Sequence, residues 1–303
     1  MVINRLGHFL IDCRSLFTNS ERPLGWCADF ASGTDRLALD MIVFLHIPKT
    51  GGTSFRYILE NNFGMRHCHA GHAGEADFSE SDLRLARRVF PSLRSIAGHN
   101  LVNPARLSFR DPFFVTILRD PVARVISYYA QLKRRWKSDF DFEKALREWG
   151  ELENLHVKLM AGERNLDKAK VFLEKQCGFV GFTEKFDLSM RVFARLSPIQ
   201  LDVNYQKRRI TTDKSTKNKL QTDSRLMELA REVNHLDVEL YAFALAEVFP
   251  RLCEKAGIRP TDELPRLDTQ EGFRFKYAFG RFYNRVVYRE LARRRRRKSS
   301  AAS

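Results

Sequence analysis

The sequence predicts an α/β fold, a central parallel sheet flanked by helices in a single domain with terminal extensions, and three observations carry that reading. Two short apolar runs, residues 41–46 (Met-Ile-Val-Phe-Leu-His) and 113–118 (Phe-Phe-Val-Thr-Ile-Leu), have the length and near continuity of strands buried on both faces. Helical patterns stand between and after them, so strand and helix alternate. The first run also leads directly into a glycine turn at the head of a helix.

Taken in order, residues 1–37 show no sustained period and are punctuated by Pro23, Gly25 and Gly33, which marks an irregular N-terminal extension. The domain is expected over 38–258. After the strand at 41–46 come helices at 53–61 and at 81–89, the latter preceded by Ser79 and Asp82 at capping-box spacing. The strand at 113–118 is followed by a helix at 122–133, with Pro121 suited to its first turn, and by one at 142–149 behind Asp141. Helices at 154–160 and 166–176, a short strand at 179–181 and a helix at 186–196 continue the alternation. One long helical pattern, 225–248, closes the core, with Leu236, Leu240 and Phe243 at core spacing. Residues 259–303 read as a linker around Pro260 and Pro265, a basic amphipathic helix over 281–297, and a disordered Ser-Ser-Ala-Ala-Ser end.

A chain of 303 residues that is 44% hydrophobic can bury a sizeable core and is not a disordered polymer. It shows no collagen, heptad or solenoid period, and its apolar runs fall short of the roughly 20 residues that span a bilayer. The N-terminus lacks the apolar region and cleavage site of a secretory signal, and a cytoplasmic location is expected. Cysteines 13, 27, 68, 177 and 253 form neither a disulfide framework nor a zinc spacing. The formal charge is +15, and without the basic run 293–298 it is still +9, so an anionic partner is expected of the folded body itself.

The segment His46-Ile47-Pro48-Lys49-Thr50-Gly51-Gly52-Thr53-Ser54 joins strand to helix, presenting backbone N–H groups, a lysine and two hydroxyls where an anion is stabilised. A Walker A loop is absent, since the lysine precedes the glycines. A second motif runs from the 113–118 strand into Arg119-Asp120-Pro121 and on to Ser127, two turns into the next helix. Arg119 and Ser127 can converge on one phosphate, while Asp120 reads as a helix cap rather than a Walker B carboxylate.

Together the two motifs resemble the 5′-phosphosulfate loop and the 3′-phosphate motif of sulfotransferases that use 3′-phosphoadenylyl sulfate (PAPS), in the heparan sulfate 2-O- and 6-O-type branch and its bacterial relatives. The resemblance extends over roughly residues 40–250, taking in 153–162, where the family commonly has Gln in place of His156, and 179–186 and 234–241. It implies the P-loop-like sulfotransferase fold and sulfuryl transfer from PAPS to an acceptor hydroxyl on a carbohydrate. Lys49, Thr50, Gly51, Gly52, Thr53 and Ser54 would hold the 5′-phosphosulfate, and Arg119 and Ser127 the 3′-phosphate. Gly98-His99 stands where the family carries its catalytic histidine, which makes His99 the expected general base, with Lys49 neutralising charge on the leaving phosphate and no metal required.

Other basic and histidine clusters are read more plainly. His67-Cys68-His69-Ala70-Gly71-His72 has a His-x-His spacing that can bind zinc but lacks a distant ligand pair, and reads as a polar loop near the acceptor entrance. Arg208 and Arg209 lie in a basic loop that in the family often folds over the nucleotide. The basic tail is expected to be solvated, with peripheral membrane contact open to it and no nucleic acid expected. Two rival readings remain: a P-loop-type nucleotide-dependent kinase, and a non-enzymatic anion-binding protein using the tail.

Overall fold

The computed structural model describes residues 41–71, 76–90, 92–136, 140–205, 215–259, 261, 267 and 275–300. The N-terminal extension, His72, Arg208, Arg209 and residues 301–303 lie outside the described residues. Everything from Ala38 to Ser303 clusters as one unit.

Five strands, β1 (Met41–Leu45), β2 (His67–His69), β3 (Ser95–Gly98), β4 (Pro112–Leu118) and β5 (Cys177–Phe182), form one parallel sheet in the order β2-β3-β1-β4-β5. β1 lies at the centre with every residue buried, which explains its unbroken apolar sequence. Leu45 is level with Gly98 of β3 and with Thr116 of β4, so the chain leaves these three strands at the same end of the sheet. From β1 the chain passes to the edge strand β2, returns inward to β3, and then crosses to β4 and β5 on the other side, which puts the switch point, where ligands bind such sheets, at the end of β1.

Crossovers are helical, as parallel pairing requires. They are α1 (Gly52–Phe63), α2 (Glu80–Val89), α3 (Pro121–Trp136), α4 (Phe142–Glu148), α5 (Leu155–Ala161) and α6 (Leu166–Val171), then α7 (Phe186–Leu196), α8 (Ser215–Gln221), α9 (Ser224–Val233), α10 (His235–Phe243) and α11 (Phe249–Ala256) after β5. The expected caps are present: Ser79 and Asp82 make both bonds of a capping box, Asp141 accepts from the Lys144 amide, and Asp120 accepts from the Ala123 amide at 2.8 Å. The expected helix 166–176 ends in a wider π turn, Phe172–Gln176.

Two expectations are corrected. The pattern over 225–248 is two helices, broken at buried Asn234, whose side chain accepts from the Asn154 amide and donates to the Ala230 carbonyl. Asn154 in turn accepts from the Leu236 and Asp237 amides, and side-chain bonds of this kind compete with a continuous helix. His67–His69 is a strand rather than a polar loop; paired to β3, it buries His67 and Cys68.

The main core lies about the sheet, where Phe55 is fully buried between Phe44 and Phe193, and truncating that ring would cost about 3–5 kcal/mol. A second core joins α3, α4 and α9. Arg124, fully buried, ties α3 to the turn before α5 by donating to the Glu151 and Leu152 carbonyls. Cys68, Cys177 and Cys253 are buried free thiols. Among the described residues no helix is long and apolar enough to cross a membrane, and no group of three or more His, Cys, Asp or Glu could hold a metal ion.

The C-terminal segment departs most from expectation. Helix α12 (Phe275–Tyr283), a π turn (Asn284–Tyr288) and α13 (Arg289–Ser300) run on without a break. Asn284 donates to the His67 carbonyl and accepts from the His69 amide, covering the free edge of β2. Tyr283 donates to the Val89 carbonyl, and Phe90 packs against Tyr283 and Tyr288. Gly280 lies so close to the Gly64 backbone that a β-carbon there would approach its oxygen to 2.7 Å. The basic run is therefore part of a docked helix, with Arg293, Arg294 and Arg297 still exposed. Arg295 donates to the Ser81 carbonyl and Arg296 pairs with Asp82 at 3.4 Å, and nothing in this arrangement supports the membrane contact left open to it. The charge run masked the Gly, Asn and Tyr positions that dock the helix.

Candidate active site

The loop between β1 and α1 takes its shape from left-handed backbone at Lys49 (φ 72°) and Gly51 (φ 79°), a local curl that turns successive N–H groups to one side. Thr50 is fully buried and its hydroxyl donates to the Ile47 carbonyl, so Thr50 shapes the loop with its side chain and can offer a ligand only its backbone. Gly52 opens α1 under the ring of His46. A β-carbon at Gly52 would lie 2.1 Å from that ring, which is itself stacked on Phe44. Ser54 is buried in the first turn, its amide bonded to the Gly51 carbonyl, while Thr53 faces a cavity.

On the β4 side of the loop, Arg119 donates to the Lys49 carbonyl at 3.1 Å, and Lys49 Nζ donates to Gln131 Oε1 at 2.8 Å. Gln131 stands one turn beyond Ser127 on α3, so Lys49, Arg119 and the Ser127 face of that helix meet. Gln131 lies beyond the motif read from the sequence, which ends at Ser127. Arg119 is mostly buried, and burial lowers its pKa against the opposing pull of Glu184, Asp120 and Tyr241. Its Nε has no hydrogen-bond acceptor and lies 4.0 Å from Glu184. Glu184 accepts from the Asp120 amide and from the Tyr241 hydroxyl, an arrangement no motif announces.

On the β3 side, His99 Nδ1 lies 2.6 Å from the carbonyl oxygen of His46, and the two rings are 4.0 Å apart. A carbonyl only accepts, so Nδ1 carries the proton and the neutral ring holds its lone pair on Nε2. His99 lines a cavity of about 720 Å³ together with His46, Thr53, Arg56 and His69. Arg56 donates to His69 Nε2 at 2.9 Å and pairs with Glu60 at 3.2 Å. Among the nominated residues, Thr53 and His99 line one cavity, and Lys49 is bonded to Arg119 and to Gln131, which stands one turn from buried Ser127.

A sequence model of the sulfotransferase family matches residues 39–154, the span that contains both motifs and His99. Over those residues, which are less than half of its length, the chain resembles the sulfotransferase family. It is 30% identical over 148 residues to heparan-sulfate 6-O-sulfotransferase 3-B of Danio rerio, covering 42% of this chain and 34% of that protein. It is 30% identical over 124 residues to heparan-sulfate 6-O-sulfotransferase 2 of Gallus gallus, covering 33% and 30%, and 31% identical over 149 residues to the Danio rerio protein of the same name, covering 40% and 30%. The chain therefore spans about a third of the length of the curated relatives it matches. The parallel sheet and the strand-to-helix loop are those that the sequence led one to expect, and the matched family implies a nucleotide sulfate donor.

The residues present fit such a donor. A partly buried arginine whose Nε lacks an acceptor, a loop curled at Lys49 and Gly51, and a lysine bonded to that arginine through its carbonyl suit a nucleotide with anionic groups at two ends.

Proposed function

We propose that this protein transfers a sulfuryl group from PAPS to a hydroxyl group of a carbohydrate acceptor, with His99 as general base. The observation that carries the reading is the His99 Nδ1–H bond to the His46 carbonyl, which leaves Nε2 as the proton-accepting atom beside Thr53 of the phosphate loop. PAPS, when bound, supplies an activated sulfuryl group on its 5′-phosphate. Lys49 and the N–H groups of residues 51–53, with the Ser54 hydroxyl, hold the phosphosulfate end, and Lys49 neutralises charge on the departing phosphate. Arg119 and Ser127 hold the 3′-phosphate, Arg119 with its planar fork. His99 Nε2 takes the acceptor proton as the hydroxyl oxygen bonds to sulfur.

The test is calorimetry without metal, comparing adenosine 3′,5′-bisphosphate with AMP and running ATP with Mg²⁺ as a separate arm. A preference of about thirtyfold or more for the bisphosphate is expected if one charge-assisted arginine contact distinguishes the two. Equal affinities would overturn the Arg119 and Ser127 assignment, and tight binding confined to ATP with Mg²⁺ would favour a kinase.

A further inference from the structure

Lys49 is held at both ends. Its backbone is left-handed (φ 72°), a conformation that only a few per cent of residues other than glycine adopt, and its carbonyl accepts from Arg119 Nη1 at 3.1 Å. Its ammonium donates to Gln131 Oε1 at 2.8 Å, across a separation of 82 residues in the chain. Gln131 follows Ser127 at i+4 spacing on α3, so the two share one face of that helix, and the bond ties the β1–α1 loop to the face on which Ser127 lies. A lysine ammonium only donates, so the contact also fixes which end of the Gln131 amide faces it, the oxygen.

The kind of acceptor matters as much as its place. A lysine stem samples many rotamers and must give them up when its ammonium meets an anion. A hydrogen bond to an amide oxygen settles part of that ordering beforehand, using a single N–H group and bringing no counter-charge. A carboxylate at position 131 would order the stem equally well, but it would form an ion pair with which an incoming phosphate has to compete. Glutamine directs the lysine and leaves its charge to the ligand. We propose that Gln131 is a positioning residue that presets the Lys49 ammonium for the phosphosulfate end of the donor. It acts through Lys49 and not on the reacting atoms, and the inference rests on the reading of the β1–α1 loop as the place where that end of the donor binds.

The experiment is a double-mutant cycle read by calorimetry, in which adenosine 3′,5′-bisphosphate binds to the full chain, to Gln131→Met, to Lys49→Met and to the two combined. Methionine nearly keeps the length of each stem and removes its polar head. Gln131→Met is expected to weaken the bisphosphate about threefold to tenfold when Lys49 is present and by less than about 1.5-fold in the Lys49→Met background, where there is no ammonium left to direct. Circular dichroism reports whether each variant is folded, and Gln131→Ala, the best helix former, repeats the cycle if the methionine variant is not. An equal loss in both backgrounds would make Gln131 a structural or a direct ligand contact. Unchanged or tighter binding by Gln131→Met would show that the bond restrains the lysine instead of presetting it. Either result overturns the proposal, and a parent that prefers the bisphosphate to AMP leaves the donor reading standing in both cases. A parent without that preference overturns the donor reading and the proposal together.

Discussion

The assignment of His99 can be separated from a merely structural role because the bond that its Nδ1 makes to the backbone and the task asked of its Nε2 are different. His99 Nδ1–H donates to the His46 carbonyl at 2.6 Å. Were that bond all the residue supplied, its loss would cost about 1 kcal/mol, or roughly fivefold in any rate depending on the position of His46. Loss of a general base costs roughly 10²–10⁴ in turnover. His99→Asn tells the two apart, since the asparagine amide can still donate to the His46 carbonyl but offers no basic nitrogen. Sulfuryl transfer from labelled PAPS to an oligosaccharide should fall at least about a hundredfold in both His99→Ala and His99→Asn, with bisphosphate affinity nearly unchanged. Recovery of turnover by Asn to within about tenfold of the parent would refute the argument and reduce His99 to a brace for the loop.

Arg119→Ala should weaken adenosine 3′,5′-bisphosphate by roughly 2 kcal/mol and AMP by much less in calorimetry; equal losses would remove the 3′-phosphate from its role. Gly52→Ala drives a β-carbon to 2.1 Å from His46, so unfolding should occur about 1–3 kcal/mol sooner in urea, with turnover falling alongside; an unperturbed midpoint would show that the ring moves aside freely. Burial, helped by Arg56, pushes the His67 pKa down to about 3; burial also pushes His156 down to about 4, with Arg124 adding to the shift and Asp237 opposing it. Both values lie below that of an unfolded histidine, about 6.5, so the unfolded chain takes up these protons first. Their contribution is complete above about pH 6.5 and lost as pH falls toward the folded values, by about 1.4 kcal/mol per pH unit for each ring. Urea midpoints at pH 7.5 and 5 check this, and an unchanged midpoint would contradict it.

What could be read from the sequence divides along physical lines. The strands 41–46 and 113–118 were visible because a strand buried between two parallel neighbours has nothing but apolar side chains to show. The caps at Ser79 and Asp141 were visible because they are local chemistry. β2 was not, because a three-residue edge strand reading His-Cys-His is strand-like only once β3 and Asn284 supply its partners. The break at Asn234 was hidden for a similar reason: it depends on Asn154, distant in sequence. In the candidate site, the glycines, Lys49 and Arg119 follow from motif chemistry and His99 from the family resemblance, whereas Gln131 and Glu184 follow only from where α3 and the β5–α7 turn come to rest. The C-terminal arginines were seen as charge, but their place was out of reach because it depends on where their helix docks.

The β1–α1 loop and the proposed base His99 are mechanically one object. Gly52, lacking a β-carbon, lets the His46 ring settle between Phe44 and the start of α1, and the carbonyl of that same residue holds His99 Nδ1. A disturbance at the loop is therefore felt at the base within a single residue, without passing through the sheet. Lys49 is anchored separately, its ammonium on Gln131 of α3 and its carbonyl on Arg119. Whatever Gly52→Ala costs in bisphosphate affinity should therefore persist in a Lys49→Met background, while the cost of Gln131→Met should vanish there. If the Gly52→Ala loss also vanished with Lys49→Met, the two anchors would be coupled and this division of labour would be wrong.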